Sequence, residues 1–557
     1  MQSSATNKLL GTYVIVIASL VTLFVSPWNS IDPINLPKLV LLGFLSPIAV
    51  VLAVIKIGKS KGAFSRPLLV YLLLFAMYLI LILIINAGDF AFHFYGTPGR
   101  NSGFLAYLSF LFLLFAAAAA ASAELIRKYS IALISTGLIL AVYGLAQWQG
   151  LDFFAYANAY GSDVFGTFGN PNFQSAFMGI VASASMTWAV FSSLGVRVKL
   201  LLFAISCLSI ANVALSSEQG YLNFTAGITA ALVVFLFSKK KNLLAWSVLS
   251  VSALGAFLLM LGIFNSGPLA GIIYKPSLQA RGFYWRAAIN IMQENPLFGV
   301  GLDSFGDWYR RSRTQASAEF NAGIVADTAH SIPLDIGASG GFPLLLIYFF
   351  ILGLATVSII KVVRRSNGFD VAFASIVAAW VAYQAQSVIS INQIGLGVWG
   401  WSLTGLLIGY EFNTRNQKVE ESSKSVKKRH QVKDTLPAAT LLAAVIAGAI
   451  GLAVSLPPYL AANKFYKALQ SGDGNLLQQS AYLKPYDRTR FLYTAQILAS
   501  NNLESNAIDV LEDASKIYPD NFELWQQWSQ IPSATPEQVS RAKAEMKRLD
   551  PFNPALK

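Results

Sequence analysis

PLLVYLLLFAMYLILILIIN, residues 67–86, runs for twenty residues without a charged side chain. A helix rises about 1.5 Å per residue, so such a stretch matches the roughly 30 Å hydrocarbon core of a bilayer. A helix on the surface of a soluble protein keeps a polar face; this one is apolar all round, which suits lipid or the interior of a membrane bundle. Twelve further stretches read the same way, near 9–27, 37–55, 104–122, 129–147, 173–194, 198–216, 221–237, 242–264, 343–360, 371–390, 393–410 and 436–456. Only a short turn divides the stretches near 198–216 and 221–237. The first stretch is too long for a cleavable signal peptide, and no small-residue cleavage site precedes SPWNS.

Composition agrees. Of 557 residues, 55% are hydrophobic and 12% charged, with a mean hydropathy of +0.53. An average soluble chain is about 25% charged, so an ordinary soluble enzyme is excluded. The net charge of +13 reflects topology rather than nucleic-acid binding. Lysine and arginine gather in alternate short loops: Lys56, Lys59, Lys61 and Arg66; Arg127 and Lys128; Arg197 and Lys199; Lys239 to Lys241; Lys361, Arg364 and Arg365. A basic linker from Arg415 through Lys427, Lys428, Arg429 and Lys433 completes the set, while the opposite short loops hold little beyond Lys38 and Arg100. The positive-inside rule then predicts a cytoplasmic N-terminus and an extracytoplasmic C-terminal tail. The single cysteine, Cys207, permits no intramolecular disulfide, and His93, His330 and His430 are too scattered to suggest a metal site.

The expected fold is therefore all-α. A polytopic membrane domain of about 12–13 helices spans residues 1–456, with a long outer-face loop near 265–342, and a small helical-repeat tail covers 457–557. Pro485, Pro519 and Pro551 recur in the tail at intervals of 34 and 32 residues, a period that resembles the tetratricopeptide repeat. Ala507, Leu511, Ala514 and Ile517 should pack one helix, with Trp525 and Trp528 on the next. The tail reads as a docking or stabilising module.

Ionisable groups at mid-membrane mark coupled transporters, and the centres of these stretches carry essentially none. Polar residues concentrate on the outer side instead, in four pieces: YGTPGRNSGFLAYL (95–108), GTFGNPNFQSAF (166–177), RGFYWRAAINIMQENPLFGVGLDSF (281–305) and DTAHSIPLDIGASGGFP (327–343). Residues 281–294 suit an amphipathic interfacial helix with Arg281 and Trp285 on one face, ended by Pro296. Read singly, Arg281 and Arg286 suit snorkelling to headgroups, and His330 suits an interfacial histidine.

Together, the last two pieces resemble the O-antigen ligase and polymerase superfamily, which also includes bacterial protein O-oligosaccharyltransferases. The resemblance lies in an arginine before an aromatic helix that ends in an NPLFGVG-like turn (Arg281 to Gly301), and in a histidine eleven positions before a glycine (His330 and Gly341). Arg100 with Gly103, and the GTFGNPN turn, add to it. Ser331 stands where many members have asparagine, and the thirteenth span and tail exceed the ligase pattern, which points away from the lipopolysaccharide ligase proper. The resemblance implies a glycosyltransferase at the outer face of a bacterial cytoplasmic membrane. It would move a glycan from undecaprenyl diphosphate to a hydroxyl on a lipid core, glycan or protein. His330 would be the base or acceptor-orienting group and Arg281 the principal diphosphate clamp, with Arg100 and Arg286 as secondary phosphate ligands. No Asp-x-Asp pair occurs, which favours a metal-independent reaction with a lipid-linked donor, and no cofactor is expected. A polysaccharide exporter or flippase, and an envelope-assembly scaffold that recruits proteins through the tail, are the competing readings.

Overall fold

The computed structural model describes residues 5–26, 31–59, 63–86, 90–154, 163–320, 323, 325–423 and 438–556. Lys61 and the linker residues Lys427, Lys428, Arg429, His430 and Lys433 lie outside them. Among the described residues the fold is helical throughout, with no strand. A helix stands at each of the thirteen expected stretches, and eleven of these helices are long and apolar enough to cross a membrane. The other two differ for physical reasons. Phe104–Ala120 has only 17 residues and lies buried inside the bundle, while Ile394–Ser423 continues beyond its apolar part into a charged segment. The close pair is two separate helices, Val196–Ser216 and Gln219–Ser238, parted by extended Ser217 and by Glu218.

Small residues set how tightly the bundle closes. The Ala438–Ser455 helix lies on Asn35–Lys59, where a Cβ on Gly451 would overlap the Gly43 carbonyl oxygen. Close backbone approach of this kind is how helices associate in lipid, where burying apolar surface gives no advantage. Buried Lys38 closes one end of the first helix by donating to the carbonyls of Val21, Thr22 and Phe24 at 3.0, 2.8 and 2.7 Å.

The segment expected as a long loop is a folded unit. It contains the helices Pro276–Glu294 and Phe305–Ser312, and a core of its own formed by Tyr284, Ala287, Ala288, Ile291, Phe305, Tyr309 and Ala329. The first helix starts five residues before Arg281 because Pro276 suits the first helical turn, where its missing N–H is no loss. It therefore buries one face within this core, while Ile289, Leu297 and Phe298 remain exposed. The tail forms six helices, from Pro457–Ser471 to Pro536–Leu549. Ala507, Leu511, Ala514, Trp525 and Trp528 are buried together there, with Ile517 half-buried beside them.

A backbone clasp joins the folded loop to the next span. Val300 N donates to Ala338 O at 2.9 Å, Gly301 N to Ser339 O at 3.1 Å, and Phe342 N to Pro296 O at 2.9 Å. Residues 332–365 are broken at Gly341, whose φ of 68° and ψ of −172° only glycine adopts readily. A Cβ there would overlap the carbonyl oxygens of Pro296 and Leu297. Gly341→Ala should add strain on the order of 1–3 kcal/mol and lower the thermal unfolding midpoint in detergent. Gly353→Ala, at a position with open space around it, should unfold at or above the wild-type midpoint.

Candidate active site

The clasp fixes the stretch carrying His330. Asp335, one turn into the following helix, accepts from Ala329 N at 2.7 Å, and its own N–H donates to Ser331 O at 2.8 Å. His330 between them adopts φ 50°, a left-handed conformation that costs a non-glycine residue roughly 1–2 kcal/mol. The imidazole lies half-buried with its centroid 5.3 Å from that of the Tyr284 ring. Its Nδ1 is 3.3 Å from the Thr328 carbonyl and 3.2 Å from Thr328 Oγ1. Donation from Nδ1–H to that carbonyl leaves the lone pair on Nε2, which makes no hydrogen bond among the described residues.

Arg281 and Tyr284 are three residues apart on the Pro276–Glu294 helix, so they share a face. Arg281 is half-buried, and among the described residues it pairs with no carboxylate. Arg100 reaches the same place from the segment before the Phe104–Ala120 helix. Asp303 anchors that segment by accepting from Thr97 N at 2.6 Å and Ser102 Oγ at 3.1 Å. The Arg100 guanidinium grips Asp327 with two parallel bonds, Nε to Oδ2 at 2.6 Å and Nη2 to Oδ1. Its Nη1 is buried without a hydrogen-bond partner.

Electrostatics favour a neutral histidine. Burial is the largest influence, and Arg100 and Arg281 add to it, so the His330 imidazole is pushed down to about 4. The Thr328 carbonyl and Asp327 oppose that shift without reversing it. Burial works against ionisation of Asp327, but the Arg100 guanidinium outweighs it and holds the carboxyl below its ordinary value. Burial pushes Asp303 up to about 6 despite the Thr97 and Ser102 bonds and nearby Arg100.

Three of the four residues singled out in the sequence, Arg100, Arg281 and His330, are thus within electrostatic reach of one another. Arg286 is not among them. It is exposed, and five helical residues from Arg281 rotate it roughly 140° around the axis. The sequence reading passed over Asp303, Asp327, Asp335 and Tyr284. One signal was present: Asp327 and Asp335 flank His330 at three and five residues in a chain with only 28 acidic residues. GTFGNPN has a structural part, since Asn170 caps the Pro171–Phe191 helix by accepting from Asn172 N at 2.8 Å. Buried His93 likewise serves packing, its Nδ1 lying 3.0 Å from the Leu302 carbonyl.

Residues 201–349 match the family model described as O-antigen ligase. The matched range contains Arg281, Asp303, Asp327, His330 and Gly341 and stops short of the tail. The match supports the O-antigen ligase superfamily and, in general, glycan transfer of ligase or polymerase type. A comparison with curated proteins finds no match.

The charge arrangement predicts opposite shifts in two variants. Asp327→Asn removes a negative charge beside His330 and leaves Arg100 uncompensated, so the imidazole should titrate at still lower pH. Arg100→Ala removes a positive charge and frees Asp327, so titration should move up. With three histidines in the chain, histidine-selective NMR in detergent can resolve both, with His330 assigned through His330→Gln.

Proposed function

We propose that the protein transfers a glycan from a polyprenyl diphosphate to a hydroxyl acceptor, with Arg281 holding the diphosphate and His330 receiving the hydroxyl proton. The observation that carries this reading is an arginine that, among the described residues, pairs with no carboxylate, beside a neutral histidine whose Nε2 makes no hydrogen bond there, within the family-matched range. In the reaction, the bond from the sugar anomeric carbon to the phosphate oxygen breaks and a bond to the acceptor oxygen forms. The acceptor proton passes to Nε2, and polyprenyl diphosphate leaves with the bonding electron pair. An arginine fork suits that leaving group, because it donates two parallel bonds and stays charged at all working pH. Stabilising charge where it develops is often a large part of catalysis, and a positioned base adds about 10²–10⁴-fold.

Arg281 also couples the two tasks. While unpaired, it helps to hold His330 neutral. A bound diphosphate would cancel that charge and raise the basicity of Nε2 once the donor is in place. Arg100, already engaged by Asp327, fits a supporting part through Nη1, and exposed Arg286 a peripheral one. We place the protein in a bacterial cytoplasmic membrane with its N-terminus inside. The loop unit and a tetratricopeptide-like tail then lie outside, and undecaprenyl diphosphate is the donor carrier. The reaction needs no metal or cofactor in this scheme.

The test uses purified protein and an undecaprenyl-diphosphate-linked glycan in EDTA, following diphosphate release and the mass of the glycan product. Release should require both His330 and Arg281, with His330→Ala and Arg281→Ala each at least ~10²-fold slower than wild type. Wild-type turnover in a folded His330→Ala variant overturns the assignment. The acid limb of kcat/KM reports the free enzyme and that of kcat the bound complex. The first should therefore lie near pH 4 and the second higher. Arg281→Lys, which keeps the charge but loses the fork, should raise the donor KM more than Arg286→Lys.

A further inference from the structure

The Phe305–Ser312 helix lies between the tail, remote in sequence, and the candidate active site. On one side, the tail meets its arginines with a matched set of acids. Arg313 donates to Asp550 through Nε at 3.2 Å and through Nη2 to Oδ1 and Oδ2 at 2.8 and 2.7 Å. Both side chains are fully buried, at 0% exposure. Arg310 adds Nη1 to Asp550 at 3.3 Å and Nη2 to Glu523 at 3.2 Å, with its guanidinium 4.0 Å from the Phe522 ring centre. Arg311 lies 3.1 Å from Asp520, and Asp307 accepts from Arg488 at 2.5 and 2.7 Å.

On the other side, the same helix touches the candidate active site. The Tyr309 ring meets Tyr284 edge-on at 5.4 Å, and Tyr284 in turn lies against His330. Gly306 packs on the backbone of Asp327, since a Cβ there would be 3.0 Å from the Asp327 Cα. Asn290, from the helix that bears Arg281, donates to the Ser312 carbonyl at 2.9 Å.

We propose that the tail positions the reaction centre, and that Asp550, Arg313 and the Asp307–Arg488 pair are positioning residues acting through Tyr309, Tyr284 and Asp327 on His330. The choice of charged groups supports this. Burying an ion pair costs desolvation that apolar packing avoids, so stability alone gives little reason for one. What ion pairs with fixed forks supply is one register: the helix can seat against the tail in a single rotation. Rotating it would carry Tyr309 away from Tyr284 and Gly306 away from Asp327. Misplacing a catalytic group by about 1 Å can lower turnover on the order of 10²-fold. Arg281 has a further anchor that the tail does not touch, because its helix runs into the clasp at Val300 and Gly301. Donor binding should therefore change less than turnover.

The inference rests on the transferase reading for its kinetic arm and has a second arm that does not. In the full-length protein, Asp550→Asn should lower kcat about 10²-fold with the donor KM within about twofold, and should shift the His330 imidazole signal. The Asp307→Arg and Arg488→Asp single variants should each lower kcat, and the double variant, which restores the pair in reverse, should recover most of it. A folded Asp550→Asn protein with wild-type kcat and an unmoved His330 signal overturns the proposal. If Asp550→Asn does not fold, the reversed pair decides: single variants at wild-type turnover, or a double variant no better than the singles, overturn it. If no donor is turned over by any form, the transferase reading fails on its own. The His330 signal of the tail variants then still tests the coupling, and an unmoved signal rejects it.

Discussion

Three backbone hydrogen bonds between residues 296–301 and 338–342 hold together what the rest of the functional end depends on. They join the end of the helix carrying Arg281 to the start of the span that follows His330. Since they use main-chain groups, they ask little of side chains except that none intrude. Gly299 and Gly341 meet that condition: both have positive φ, and a Cβ on either would overlap a carbonyl oxygen of the opposing strand of chain. The motif spacing noted in the sequence is thus the footprint of a mechanical joint. It sets the separation of an arginine and a histidine that lie 49 residues apart in the chain.

His330 is held by local means as well. Its left-handed backbone is fixed from both sides by Asp335, and its ring by Thr328 and Tyr284. Strain of this kind persists only where surrounding contacts over-determine it. The outcome is a ring with one nitrogen engaged and the other available, in surroundings that disfavour its charged form. The same surroundings distinguish the two arginines. One is paired with Asp327 and locks a loop in place, and the other, among the described residues, meets no carboxylate.

Much of this was legible in the sequence. All thirteen apolar stretches became helices, because a continuous apolar run of span length has few other outcomes. Arg281, His330 and Gly341 were marked by local pattern, which survives in a linear reading. The neutralisation of Arg100 was not legible, since its acid lies 227 residues away. The exposure of Arg286 depended on which face of its helix the rest of the chain covers, and that is set by tertiary packing. The largest omission was the tail. Its period suggested a docking or stabilising module without saying what it would meet, and one of its faces is occupied by the Phe305–Ser312 helix. Contacts spanning 237 residues leave no periodic trace.

That occupied face has a consequence for selectivity. Arg310, Arg311 and Arg313 sit one helix away from the site proposed to take a diphosphate, and bilayer headgroups can themselves be anionic. Left bare, they would form a decoy, drawing phosphate groups to a place where no chemistry follows. Asp520, Glu523 and Asp550 act as permanent internal counter-ions and quench it. The folded chain thus lowers the local background against which the guanidinium of Arg281 has to be found.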